Sequence, residues 1–133
     1  MSFPVVNGLR GIEFGTRGES RSRINECVIK GNKRATAALI DEYRTEGEPI
    51  EHVGEKLAML DNAMIHVATL LVTRVELCRF VDVPDEFALT EAEGDLNAAD
   101  FRASHFESWC NMGINITNDT PLVLIYFDLL PDL

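Results

Sequence analysis

Hydrophobic positions along the chain change period several times, and each change predicts an element. Ile24, Cys27 and Val28 fall at i, i+3 and i+4, one stripe of a short helix from Ser22 or Arg23 to Lys30. Gly31 follows where a helix end favours a left-handed residue. Residues 32–36 lead into an apolar stretch, 37–40, too short to type. Residues 41–51 are polar, contain Gly47 and Pro49, and read as a loop.

From residue 56 the pattern turns to strand chemistry. Lys56–Leu60 and the run from Ala63 flank Asp61-Asn62, a pair suited to a tight hairpin turn. Through Cys78 both alternating faces are apolar: Ile65, Val67, Leu71, Val75 and Leu77 on one, Met64, Ala68, Leu70 and Val72 on the other. That predicts a strand buried on both sides, bulged near Thr73-Arg74. Pro84 suits a first helical position, with Asp85 and Glu86 in the first turn and Gly94 as the stop. A second helix runs from the cap residue Asn97 to about Trp109, striped by Phe101, His105, Trp109 and Met112. Residues 122–127 form a closing apolar strand for the sheet interior. The order helix, hairpin, helix, helix, strand predicts an α+β domain around a small β-barrel.

Size and charge narrow the picture. The 133 residues suit one domain, read as an N-terminal lead over 1–13 and a single domain over 14–133. Net charge is −10, which argues against coating duplex nucleic acid or anionic lipid. The charge is uneven, however. Residues 17–34 hold six bases, Arg17, Arg21, Arg23, Lys30, Lys33 and Arg34, against Glu19 and Glu26, a local +4 that leaves −14 for the remainder. Three widely spaced cysteines and no leader-like start fit a reduced cytoplasm, and the longest apolar run, ten residues from Ala63, is too short to span a bilayer as a helix.

Two clusters carry candidate chemistry. In Gly31-Asn32-Lys33-Arg34-Ala35-Thr36 the glycine permits close backbone approach, and Lys33 and Thr36 are near enough for amine and hydroxyl to meet. A hydroxyl beside a proton-accepting amine is one recipe for a nucleophile. Glu91, Glu93 and Asp95 crowd a helix end, where mutual repulsion raises at least one carboxyl pKa toward general acid/base use. His66 reads as a core residue, His52 as a loop residue, and His105 as packed on the aromatic stripe. No spacing resembles a zinc site, so neither metal nor other cofactor is expected.

Taken together, residues 24–39 (INECVIKGNKRATAAL), Val53-Gly54-Glu55, Phe87-Ala88, Glu91-Ala92-Glu93-Gly94 and the helix bearing His105 resemble the ASCH domain family of the PUA-like superfamily. The resemblance implies a PUA-like β-barrel with flanking helices, binding RNA or a modified nucleoside where the GxKxxT loop meets the Glu-Gly segment. One branch hydrolyses the amide of N4-acetylcytidine; carried over, its catalytic set is Lys33, Thr36 and Glu93. Gly31, Asn32, Arg34, Glu91 and His105 are then expected to contact substrate, with Arg17, Arg21, Arg23 and Lys30 along RNA. A non-catalytic single-stranded RNA reader and a ribonuclease are the alternatives. The acidic remainder favours a small or single-stranded ligand over a duplex, and no membrane partner is expected.

Overall fold

The computed structural model describes residues 3–131. Among the described residues six strands, β1 (Val5–Val6), β2 (Leu9–Ile12), β3 (Ala35–Leu39), β4 (Lys56–Leu60), β5 (His66–Arg79) and β6 (Pro121–Leu129), form one mixed sheet in the order β1-β2-β4-β5-β6-β3. The N-terminal stretch, expected to precede the fold, supplies the short hairpin β1 (Val5–Val6) and β2 (Leu9–Ile12). Strand β2 runs parallel to β4 (Lys56–Leu60); every other pairing is antiparallel. No alternation of useful length marks residues 5–12, so the period gives no strand signal there.

The α+β class stands, but the sheet is open and is not closed into a barrel: β1 and β3 (Ala35–Leu39) are its two edges. Helix α1 covers Glu19–Ile29, beginning earlier than its apolar stripe because Gly18 and the turn at Thr16 start it. Residues 41–46, expected as a loop, belong instead to helix α2 (Ile40–Glu46), closed by left-handed Gly47. Ile40 and Tyr43 bury one apolar side, and a seven-residue helix shows too few turns for a period to be read.

The 14-residue strand β5 (His66–Arg79) is buried on both faces only as far as Val72; beyond it, Leu77 is exposed. The predicted bulge is present, as a register shift between Val72 and Arg74 opposite β6 (Pro121–Leu129). The hairpin turn is longer than two residues. Asp61 Oδ1 accepts from the amides of Ala63 and Ile65, both at 2.9 Å, and Met64 takes the positive φ. A 3₁₀ turn at Phe80–Asp82 leads to α3 (Asp85–Glu91), with Pro84 extended just outside it as the N-cap. Helix α4 (Ala98–Asn111) starts as expected at Asn97, whose side chain accepts from the Asp100 amide.

Strand β6 divides the core. Val123, Ile125 and Phe127 face a cluster with Phe14, Val28 and Tyr43; Leu122, Leu124 and Tyr126 face one with Phe87, Phe101 and Trp109. Its alternate residues thus serve α1 and α2 on one side, α3 and α4 on the other, which explains a closing run with no polar position. Among the described residues no helix is long and apolar enough to cross a membrane. Phe87, fully buried, meets both Phe101 and Tyr126 edge-to-face. Phe87→Ala is expected to cost about 3–5 kcal/mol in urea unfolding; a loss under about 1 kcal/mol would mean the second core is not cohesive.

Candidate functional site

Lys33 lies between the end of α1 and the start of β3, and its side chain is completely buried. An ammonium in that position needs acceptors on every side. It finds Ala35 O at 2.7 Å, Glu93 Oε2 at 2.5 Å and Glu91 O at 3.4 Å, with Glu91 Oε2 at 3.9 Å and the Phe14 ring centroid at 5.4 Å. The backbone adds a parallel tie, Arg34 N–H to Thr90 O at 2.9 Å. Glu91 and Glu93 reach one lysine because Ala92 between them adopts a left-handed conformation, φ 54°, that stops α3 and turns the chain. This is the role the sequence suggested for Gly94.

Glu91 is 1% exposed, whereas the Glu93 side chain is 30% exposed. Burial raises the Glu91 pKa, opposed in part by His105 and Lys33. Its Oε1 atom has no hydrogen-bond partner and faces His105 Nε2 at 3.6 Å. His105 stacks on Phe101 at 3.9 Å and sets Nδ1 3.1 Å from the Phe101 carbonyl, a bond only a protonated Nδ1 can donate. Nε2 is therefore the nitrogen that titrates toward Glu91. Burial disfavours the imidazolium, yet the charges of Glu91 and Glu93 lift the His105 pKa above its usual value.

Thr36, Glu91, Glu93 and His105 line one cavity of about 500 Å³ that wraps the free edge of β3. Thr36 and Lys33 do not meet: among the described residues, Lys33 Nζ makes no hydrogen bond to Thr36 Oγ1. The chain enters β3 at residue 35, so Thr36 follows strand geometry instead of sitting one helical turn from the lysine. Gly31 and Asn32 are exposed in the connection from α1. Arg34 folds back to the carbonyls of Val28 and Lys33.

The basic stretch is mostly committed to structure. Arg21 is buried, donating to Phe14 O and pairing with Glu13 at 3.4 Å; Lys30 pairs with Glu26 at 2.8 Å. Arg17 and Arg23 are exposed and form no ion pair among the described residues. Sequence reasoning missed Glu13, Glu42 and Glu51, which line the same cavity from the N-terminal strand, α2 and the loop beyond; no local spacing joins them. Asp95, Glu91 and His105 offer ligand atoms within 4.8 Å of one another, a cation-sized grouping. The Lys33 ammonium 3.9 Å from Glu91 already supplies positive charge there.

Fold and site together define an α+β domain with a cavity at one edge of its mixed sheet. The ASCH domain profile matches residues 10–131, and the chain belongs to that family. Its fold is similar to that of an ASCH domain from Lactobacillus crispatus JV V101, at 24% identity and a TM-score of 0.76 over 90% of this chain and 77% of that one. It is also similar to protein EF3133 of Enterococcus faecalis V583, a DUF984 protein, at 26% identity and a TM-score of 0.75 over 89% and 74%. Among curated proteins none matches it.

Two outcomes follow from the buried charges. Lys33→Met should destabilise the domain by about 3–5 kcal/mol at neutral pH, read by urea unfolding, because Glu91 is left buried without its cation. The His105 imidazole should titrate by NMR above its usual 6.5 and fall back in Glu91→Gln. A raised folded pKa makes its stabilising contribution full below pH 6.5 and lost as pH rises through the folded value. An unchanged His105 titration in Glu91→Gln would show that the carboxylate is not its partner.

Proposed function

We propose that the chain binds the base of a modified nucleoside, free or in single-stranded RNA, inside the β3-edge cavity. The observation that carries this reading is the lining: Glu13, Glu42, Glu51, Glu91 and Glu93 line the cavity, and among the described residues no Lys or Arg does. Such a pocket repels a phosphate and suits an uncharged base rich in N–H donors. Its volume of about 500 Å³ lies in the range of small-molecule sites. ASCH domains are generally RNA-binding, which supports the same ligand class. Arg17 and Arg23, exposed and next in sequence to the lining residues Thr16 and Ile24, would meet the phosphates of a strand in solvent.

A second reading, hydrolysis of an acylated exocyclic amine, is favoured by Thr36 sharing the cavity with Glu91, a carboxyl group whose raised pKa suits proton donation. Thr36 Oγ1 would give its proton to a cavity carboxylate as it bonds to the acyl carbon, the carboxyl group so formed would pass that proton to the amine as the C–N bond breaks, and water would hydrolyse the ester, releasing the acid and restoring the hydroxyl. Lys33 then positions Glu93 and keeps Glu91 in place. Phosphodiester cleavage fits the acidic lining less well.

Calorimetry with cytidine, N4-acetylcytidine and cytidine 5′-monophosphate tests the binding reading. Neutral nucleosides are expected to bind at least as tightly as the monophosphate, and a phosphate that adds more than about tenfold in affinity would overturn it. Where N4-acetylcytidine is turned over, Thr36→Ala should abolish acetate release while leaving affinity within about threefold; turnover that survives would remove Thr36 from the chemistry.

A further inference from the structure

The edge strand facing the cavity carries an unclaimed donor and acceptor of its own. In an antiparallel ladder, residues alternately point both backbone groups at the partner strand and both away from it. Phe127 N–H donates to Arg34 O at 3.0 Å, and the register continues as Thr36 with Ile125 and Ala38 with Val123. Ala35 and Ala37 therefore direct their backbone groups away from β6. Lys33 Nζ confirms the phase by taking Ala35 O at 2.7 Å from the outer side. Leu39 is the N-cap of α2, so its carbonyl is committed to that helix.

Ala37 is the residue left with both groups directed outward and open, since the outward N–H groups of Ala35 and Leu39 belong to buried residues. Among the described residues neither its N–H nor its C=O has a hydrogen-bond partner outside the ladder, and the residue lines the cavity. Exposed edges are ordinarily blunted by charge, proline or a bulge. Strand β3, Ala-Thr-Ala-Ala-Leu, has none of these, and its small side chains let a ligand reach the backbone.

Resting on the nucleoside reading of this cavity, we propose that the Ala37 N–H and C=O pair with the donor and acceptor on the edge of the bound base and fix its orientation. One free residue is too short for strand addition, which needs a row of ladder groups, and it matches one planar amide-like edge. In cytosine the acceptor is N3 and the donor the N4 amine, so the group that carries a modification would lie at the Ala37 carbonyl.

Amide hydrogen exchange by NMR, with and without saturating cytidine, tests this without a variant. The Ala37 amide should exchange fast in the free protein, unlike those of Thr36 and Ala38, and slow at least about tenfold on binding. Ala37→Pro removes only the outward donor, at an edge position where proline is tolerated. It should lose about tenfold in cytidine affinity. 3-Deazacytidine, which lacks the N3 acceptor, should bind the wild-type protein equally weakly. Cytidine binding with Ala37 exchange unchanged, or 3-deazacytidine binding as well as cytidine, would overturn this inference and leave the cavity assignment standing. No nucleoside binding at all would overturn both, and protection of Ala37 by an extended peptide alone would assign the edge to strand addition.

Discussion

Much of this structure hangs on one buried ammonium. Lys33 Nζ is enclosed by the carbonyls of Ala35 and Glu91 and the carboxylate of Glu93, groups from the edge strand, the end of α3 and the turn after it. Because an uncompensated charge in the interior costs several kcal/mol, the lysine dictates where α3 ends against β3. Where α3 ends in turn sets Glu91 opposite His105, and the ring contacts of Phe101 with Phe87 and of Trp109 with Phe80 hold α4 at the same wall. The cavity opens along β3 because these contacts prop the second pair of helices beside a strand that has no neighbour on that side.

What could be read from the residues depended on whether the deciding interaction was local. The helix cap at Asn97, the bulge near Thr73-Arg74 and the interior strand at the end of the chain rest on neighbours in sequence and match the structure. Helix α2 and the strands over 5–12 were missed because each is too short to show a period and is held by partners far away, Ile40 and Tyr43 in the first core, β2 against β4. The barrel expectation failed for a similar reason: closure depends on which edges meet, and no single strand encodes that. At the site, Lys33, Glu91, Glu93 and His105 were singled out and do cluster. The pairing of Lys33 with Thr36 assumed a turn where the chain is already a strand. The carboxylates of Glu13, Glu42 and Glu51 escaped notice because only the tertiary fold brings them to the cavity.

The charge pattern takes on a different meaning once burial is known. A stretch with six bases looks like a place for phosphate, yet Lys33, Arg21 and Arg34 spend their hydrogen bonds on the protein and Lys30 is paired with Glu26. These bases fasten α1 and β3 to the rest of the domain. The acids, by contrast, converge on the cavity. The five carboxylates at the cavity are thus part of the acid excess behind the net charge of −10.

The topology also orders events in time. Strand β3 has a single partner in the sheet, β6, and β6 is the last strand of the chain. During synthesis β3 leaves the ribosome early and then waits for nearly the whole domain before any ladder can claim it. Its apolar, uncharged edge is open to wrong pairings throughout that interval. The edge proposed to receive a ligand is thus the segment that most needs protection while the chain is being made.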